Sequence, residues 1–88
     1  MTIVELYSKD DCHLCDVARD ILHKVQRSIP FELNVIKIQE GDGYYEQYKE
    51  RIPVVLINKE FAFQYRIREV ELIAKLKSAS RTVQKRKA

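Results

Sequence analysis

The spacing of apolar residues changes period along the chain, and each change marks an element. Residues 2–7, Thr-Ile-Val-Glu-Leu-Tyr, are β-branched and apolar enough for a strand, and the polar run Ser8-Lys9-Asp10-Asp11 breaks it. Leu14, Val17, Ala18, Ile21, Leu22 and Val25 then recur at helical spacing, with Asp16, Arg19, Asp20, Lys24 and Arg27 on the other side. Pro30 closes that helix. From Phe31 to Val35 apolar and polar residues alternate as in a half-buried strand, continuing through Ile36 and Ile38. The turn Glu40-Gly41-Asp42-Gly43 leads into a short helical segment in which Tyr44 and Tyr48 share a face, and partial burial is the expectation for these aromatics. Pro53 opens Val54-Val55-Leu56-Ile57, a run suited to a strand buried on both faces. Asn58-Lys59 offers a tight turn into Glu60–Tyr65, where Phe61, Phe63 and Tyr65 alternate with Ala62 and Gln64. Val70, Leu72, Ile73 and Leu76 predict a helix over about 68–77. Residues 1–78 thus form one domain, and 79–88 read as a basic, disordered tail. The order β-α-β-α-β-β-α, with a right-handed βαβ crossover and a hairpin, predicts an α/β domain with a four-stranded mixed sheet flanked by helices.

Charge narrows the function classes. The formal net charge is +3, but Arg81, Lys85, Arg86 and Lys87 account for it: residues 1–80 carry 12 basic against 13 acidic side chains. The domain therefore has no basic footprint for nucleic acid, and the tail has no aromatic to stack on bases. No apolar run reaches the roughly 18–20 residues of a membrane span, so no membrane association is expected. The chain starts directly with a strand-like run, and the expected location is the cytoplasm. Two cysteines are too few to staple a secreted scaffold, and a close pair in such a chain points to redox or metal chemistry.

That pair is Cys12-His13-Leu14-Cys15, at the junction between the first strand and the clearest helix. Unpaired amides and the positive end of the helix dipole favour an anion there, so Cys12 is the candidate nucleophilic thiolate. Cys15, one turn deeper, is the candidate resolving thiol. Lys9 and protonated His13 would lower the Cys12 pKa, whereas Asp10, Asp11 and Asp16 would raise it, and Asp10 or Asp11 is expected to cap the helix. Cys12, Cys15, His13 and His23 are the only Cys and His ligands available, too few for a closed monomeric zinc site, so no metal is expected. An iron–sulfur cluster shared between two chains stays open. So does a second function class, a protein-binding module whose cysteines are incidental or regulatory.

Leu6-Tyr7-Ser8-Lys9 before Cys12-His13-Leu14-Cys15, the run Tyr48-Lys49-Glu50-Arg51-Ile52-Pro53-Val54, and the element order together resemble the glutaredoxin-like proteins of the thioredoxin superfamily, in their short branch with this Cys-His-Leu-Cys motif. The likeness covers residues 1–77 and implies a thioredoxin-like fold and thiol–disulfide oxidoreductase activity on protein disulfides. It further implies a reducing thiol system as second partner. By the same resemblance Pro53 has a cis peptide bond opposite the redox pair, and Ile52 presents its backbone to an extended substrate. Glutathione-using glutaredoxins are similar to one another in a Gly-Gly pair followed by an acid after the hairpin. Here no glycine follows Gly43, the matching stretch is Phe61-Ala62-Phe63-Gln64-Tyr65-Arg66, and His13-Leu14 replaces the usual Pro-Tyr. These departures speak against glutathione as the direct reductant, and no cofactor is expected.

Overall fold

The computed structural model describes residues 2–87 apart from Asp11, Asp42 and Lys49, with backbone alone at 44–46 and 80–87. The elements follow the expected order: β1 (Ile3–Ser8), α1 (His13–Gln26), β2 (Glu32–Lys37), α2 (Gly43–Tyr48), β3 (Val54–Ile57), β4 (Glu60–Gln64) and α3 (Glu69–Lys87). The sheet order is β2-β1-β3-β4. β1 runs parallel to β2, with Leu6 opposite Val35, and antiparallel to β3, with Leu6 opposite Val55.

Alternation along central β1 divides the core in two. Val4 and Leu6 face α1 and α3, packing with Leu22, Val25, Val55, Leu72 and Leu76 in the larger cluster. Tyr7 faces the other way into a smaller cluster with Cys15, Ile38, Tyr48, Ile52 and Val54. Its ring lies 4.8 Å from that of Tyr48, centroid to centroid, which ties α2 to this face of the sheet. Glu5 is the charged residue of an otherwise largely apolar β1. It is buried at the strand centre, and Lys59 Nζ donates to its Oε2 at 3.1 Å.

Asn58 (φ 51°) and Lys59 (φ 70°) both take the left-handed conformation that a two-residue hairpin turn demands. The Asn58 side-chain oxygen also accepts from the Ile3 amide at 2.9 Å, locking the turn to β1.

Three features differ from the expectation. β2 begins one residue after Phe31 and lies at the edge of the sheet, so Val35 stays 43% exposed instead of half-buried. In β4 the register shifts between Val55 and Leu56, so that Phe63 lies opposite Val55 and Phe61 opposite Leu56. Such a bulge sends Phe61 and Phe63 to opposite faces, and Phe61 is exposed while Phe63 is buried. Finally, α3 continues past residue 77, and its backbone is helical through Lys87, across the stretch expected to be a disordered tail. Ala79 packs against the larger cluster. Residues 78–87 contain neither Gly nor Pro and end in Lys and Arg, which suit the negative end of a helix dipole.

Candidate active site

β1 delivers the chain to the N-terminus of α1, and Cys12 is the N-cap residue there. Its backbone is extended (φ −115°, ψ 104°), its Sγ accepts a hydrogen bond from the Cys15 amide at 3.2 Å, and its carbonyl accepts from the Asp16 amide at 3.2 Å. The first turn of α1 is thus organised around a sulfur atom. Asp10, one of the two anticipated caps, is not used as one: it pairs with Lys37 on β2, 3.1 Å away, and the other candidate, Asp11, lies outside the described residues. A sulfur serves because a cap needs only an acceptor aimed at the orphan amides.

Cys12 and Cys15 form a disulfide with Cα atoms 5.2 Å apart. The two sulfurs have unequal surroundings. Cys12 is half-buried at the rim, whereas Cys15 is 4% exposed and belongs to the smaller cluster beneath α2. Ile52 is a member of the same cluster, and Cys12 packs against it, so the chain's two distant motifs meet here. The Ile52–Pro53 peptide bond is cis. The Ile52 side chain is 7% exposed and turned into the cluster, so what it can offer a substrate is backbone.

Lys9 and His13 both lie at the solvent-exposed rim. Lys9 lines a shallow hollow of about 110 Å³ beside the disulfide, together with Cys12, Cys15, Asp16, Arg19 and Lys37. Arg19 and Asp16 form an ion pair there at 3.5 Å. A larger hollow of about 540 Å³ lies between the hairpin turn and α3, lined by Ile57, Lys59, Phe61, Lys75 and Ala79, and neither cysteine borders it. The smaller hollow is therefore the one that adjoins the cysteine pair. Among the described residues no group of three or more His, Cys, Asp or Glu side chains gathers as a metal ion would need.

Tyr65 is a residue of this site that the sequence pattern missed. It follows β4, and its amide donates to the carbonyls of Pro53 at 2.9 Å and Arg51 at 3.2 Å, while its hydroxyl donates to the Glu50 carbonyl. Its φ is +66°. Left-handed backbone is signalled in sequence by Gly, Asn or Asp, and a tyrosine gives no such sign.

The family model described as the glutaredoxin-like domain matches residues 3–77. A glutaredoxin-like protein of Dictyostelium discoideum, the YDR286C homolog, is 26% identical over 84 residues, covering 89% of this chain and 78% of that one. Among solved structures, protein Ne2328 of Nitrosomonas europaea superposes with a TM-score of 0.73 at 25% identity, covering 84% of this chain and 89% of its own. Thioredoxin 1 of Thermosipho africanus superposes at 0.56 with 16% identity over 98% and 99% of the two chains, a likeness of fold.

Proposed function

The chain belongs to the glutaredoxin-like domain family, in the thioredoxin-like fold, and on that premise we propose that it is a dithiol oxidoreductase that reduces protein disulfides. The observation that carries this reading is the inequality of the two sulfurs: Cys12 Sγ is a helix cap that accepts an amide hydrogen bond, and Cys15 is buried behind it. In the reduced pair the Cys12 thiolate attacks one sulfur of a substrate disulfide. A mixed disulfide forms and the other substrate sulfur leaves as thiolate. Cys15, deprotonated, then attacks Cys12 Sγ. The Cys12–Cys15 bond forms, the second substrate sulfur leaves, and two electrons have passed from the pair to the substrate. A separate dithiol or thiol system returns the pair to the reduced state.

The helix-end amides stabilise the Cys12 thiolate as attacking and as leaving group, and Lys9 at the rim adds a positive charge. Burial keeps Cys15 behind the attacking sulfur and away from solvent until the mixed disulfide brings it into use. Ile52 and Pro53 supply the edge along which an extended substrate segment lies. A reducing compartment, the cytoplasm, suits a pair that must be recycled as a dithiol. Among the described residues no helix is long and apolar enough to cross a membrane.

The test is to trap the intermediate. With Cys15→Ser, a mixed disulfide through Cys12 accumulates and is isolable, whereas Cys12→Ser traps nothing. In the reduced wild type at pH 6, iodoacetamide labels Cys12 first, because the helix-end amides favour its thiolate. Equal labelling of both thiols, with no disulfide partner captured by Cys15→Ser, sinks the enzymatic reading and leaves a binding module with incidental cysteines.

A further inference from the structure

Tyr65 is held in a conformation that a tyrosine adopts only under constraint. The Arg66 amide donates to the Gln64 carbonyl at 2.7 Å across it, an i→i+2 bond that, with φ +66°, marks a tight γ-turn of the rare positive-φ kind. A bulky residue there is strained, and such strain persists only where surrounding contacts over-determine it. Those contacts run to a single stretch. The carbonyls of Glu50, Arg51 and Pro53 are all taken by Tyr65, and within residues 50–53 the Ile52 carbonyl is the one it leaves. The ring that makes the outermost of these bonds remains 45% exposed.

We propose that Tyr65 is the positioning residue of the substrate edge, and that its ring there selects extended protein segments over small thiol tripeptides. The proposal rests on the oxidoreductase reading given above. By fastening the carbonyls on both sides of Ile52, Tyr65 fixes the direction in which the Ile52 backbone points, so a substrate strand meets a ready-made partner rather than a loop it must first order. A tripeptide disulfide such as that of glutathione has little backbone to pair with that edge, and the exposed phenol held beside Glu50 adds bulk that a close backbone approach would have to pass. A protein segment crossing as a strand makes its contacts at Ile52 and can lay an apolar side chain on the ring.

Two variants test this in the full chain. Tyr65→Phe keeps the ring and removes the bond to Glu50. It is expected to raise KM for an oxidised, disulfide-containing protein substrate about five-fold, with kcat held within about two-fold. Tyr65→Gly accepts the positive φ without strain and removes the ring; KM for the protein disulfide rises further, while KM for a glutathionylated peptide falls. In both variants the Arg51 and Ile52 amide resonances shift and iodoacetamide labelling of Cys12 at pH 6 stays as in the wild type. Unchanged KM values for both substrates, with Cys15→Ser still trapping a partner, overturn the role of Tyr65 and leave the oxidoreductase reading standing. Lost Cys12 labelling alongside a parallel fall in kcat marks general damage and counts against a positioning role. Failure of the wild type to reduce any disulfide, with nothing trapped by Cys15→Ser, sinks both readings. Tyr65→Phe, the milder change, carries the test should Tyr65→Gly not fold.

Discussion

Cys12 occupies a helix position usually filled by Ser, Thr, Asp or Asn, and its sulfur takes the hydrogen bond that an oxygen would take there. In the proposed reaction, capping and reactivity are therefore two uses of one set of amides. The two can be separated by substitution in a Cys15→Ser background. Cys12→Ser keeps an acceptor at the cap, and its unfolding free energy is expected to stay close to that of the parent. Cys12→Ala removes the acceptor and is expected to cost about 0.5–2 kcal/mol, measured by urea denaturation under reducing conditions. The residues of the site were unequally legible. Spacing and placement at a strand–helix junction single out Cys12 and Cys15 without a structure. The choice of cap was misread at Asp10 because a sequence shows which side chains can cap but not which one a nearby lysine, here Lys37, draws away. Tyr65 was illegible because its role lies in its backbone: three carbonyls distant in sequence fix it, and nothing in a tyrosine announces a positive φ.

Among the elements, α1 was the plainest to read, since its apolar stripe is wide and a proline stops it. Leu22 at the centre of that stripe is fully buried against β1 and α3. Leu22→Ala is expected to cost about 2–5 kcal/mol by chemical denaturation, with the spread set by how far α1 and α3 can close on the cavity. The strands were legible as strands but not in their surroundings. Alternation marks one covered face but does not say that the strand lies at the margin of the sheet, so β2 looked more buried than it is. The bulge in β4 was hidden for a related reason: alternation of Phe61, Phe63 and Tyr65 implies one face, and the extra residue that separates them belongs to the pairing with β3. The end of α3 was underestimated because its last turns lack the apolar periodicity by which a helix is recognised, although nothing in them breaks one.

At the scale of the molecule, the larger core closes with Leu76 and Ala79, and Val83 is the only large apolar residue beyond them. Ending the chain after Ala79 is expected to change stability by less than about 1 kcal/mol and to leave trapping by Cys15→Ser intact; a larger loss by thermal melting would mean that the last turns of α3 contribute packing. The topology that brings the two site motifs together was largely implied by element order, because one crossover and one hairpin leave few ways to build a four-stranded mixed sheet. The same topology leaves two strands, β2 and β4, with a free margin each. Glu32, Asn34 and Lys37 occupy the first and Glu60 and Gln64 the second. A neighbouring molecule that tried to extend the sheet would have to strand these polar and charged groups away from water, which discourages edge-to-edge aggregation. If Ile52 is the substrate edge proposed above, the two outer margins, set with charged and polar side chains, leave that inner stretch of backbone as the place where a passing chain is invited to pair.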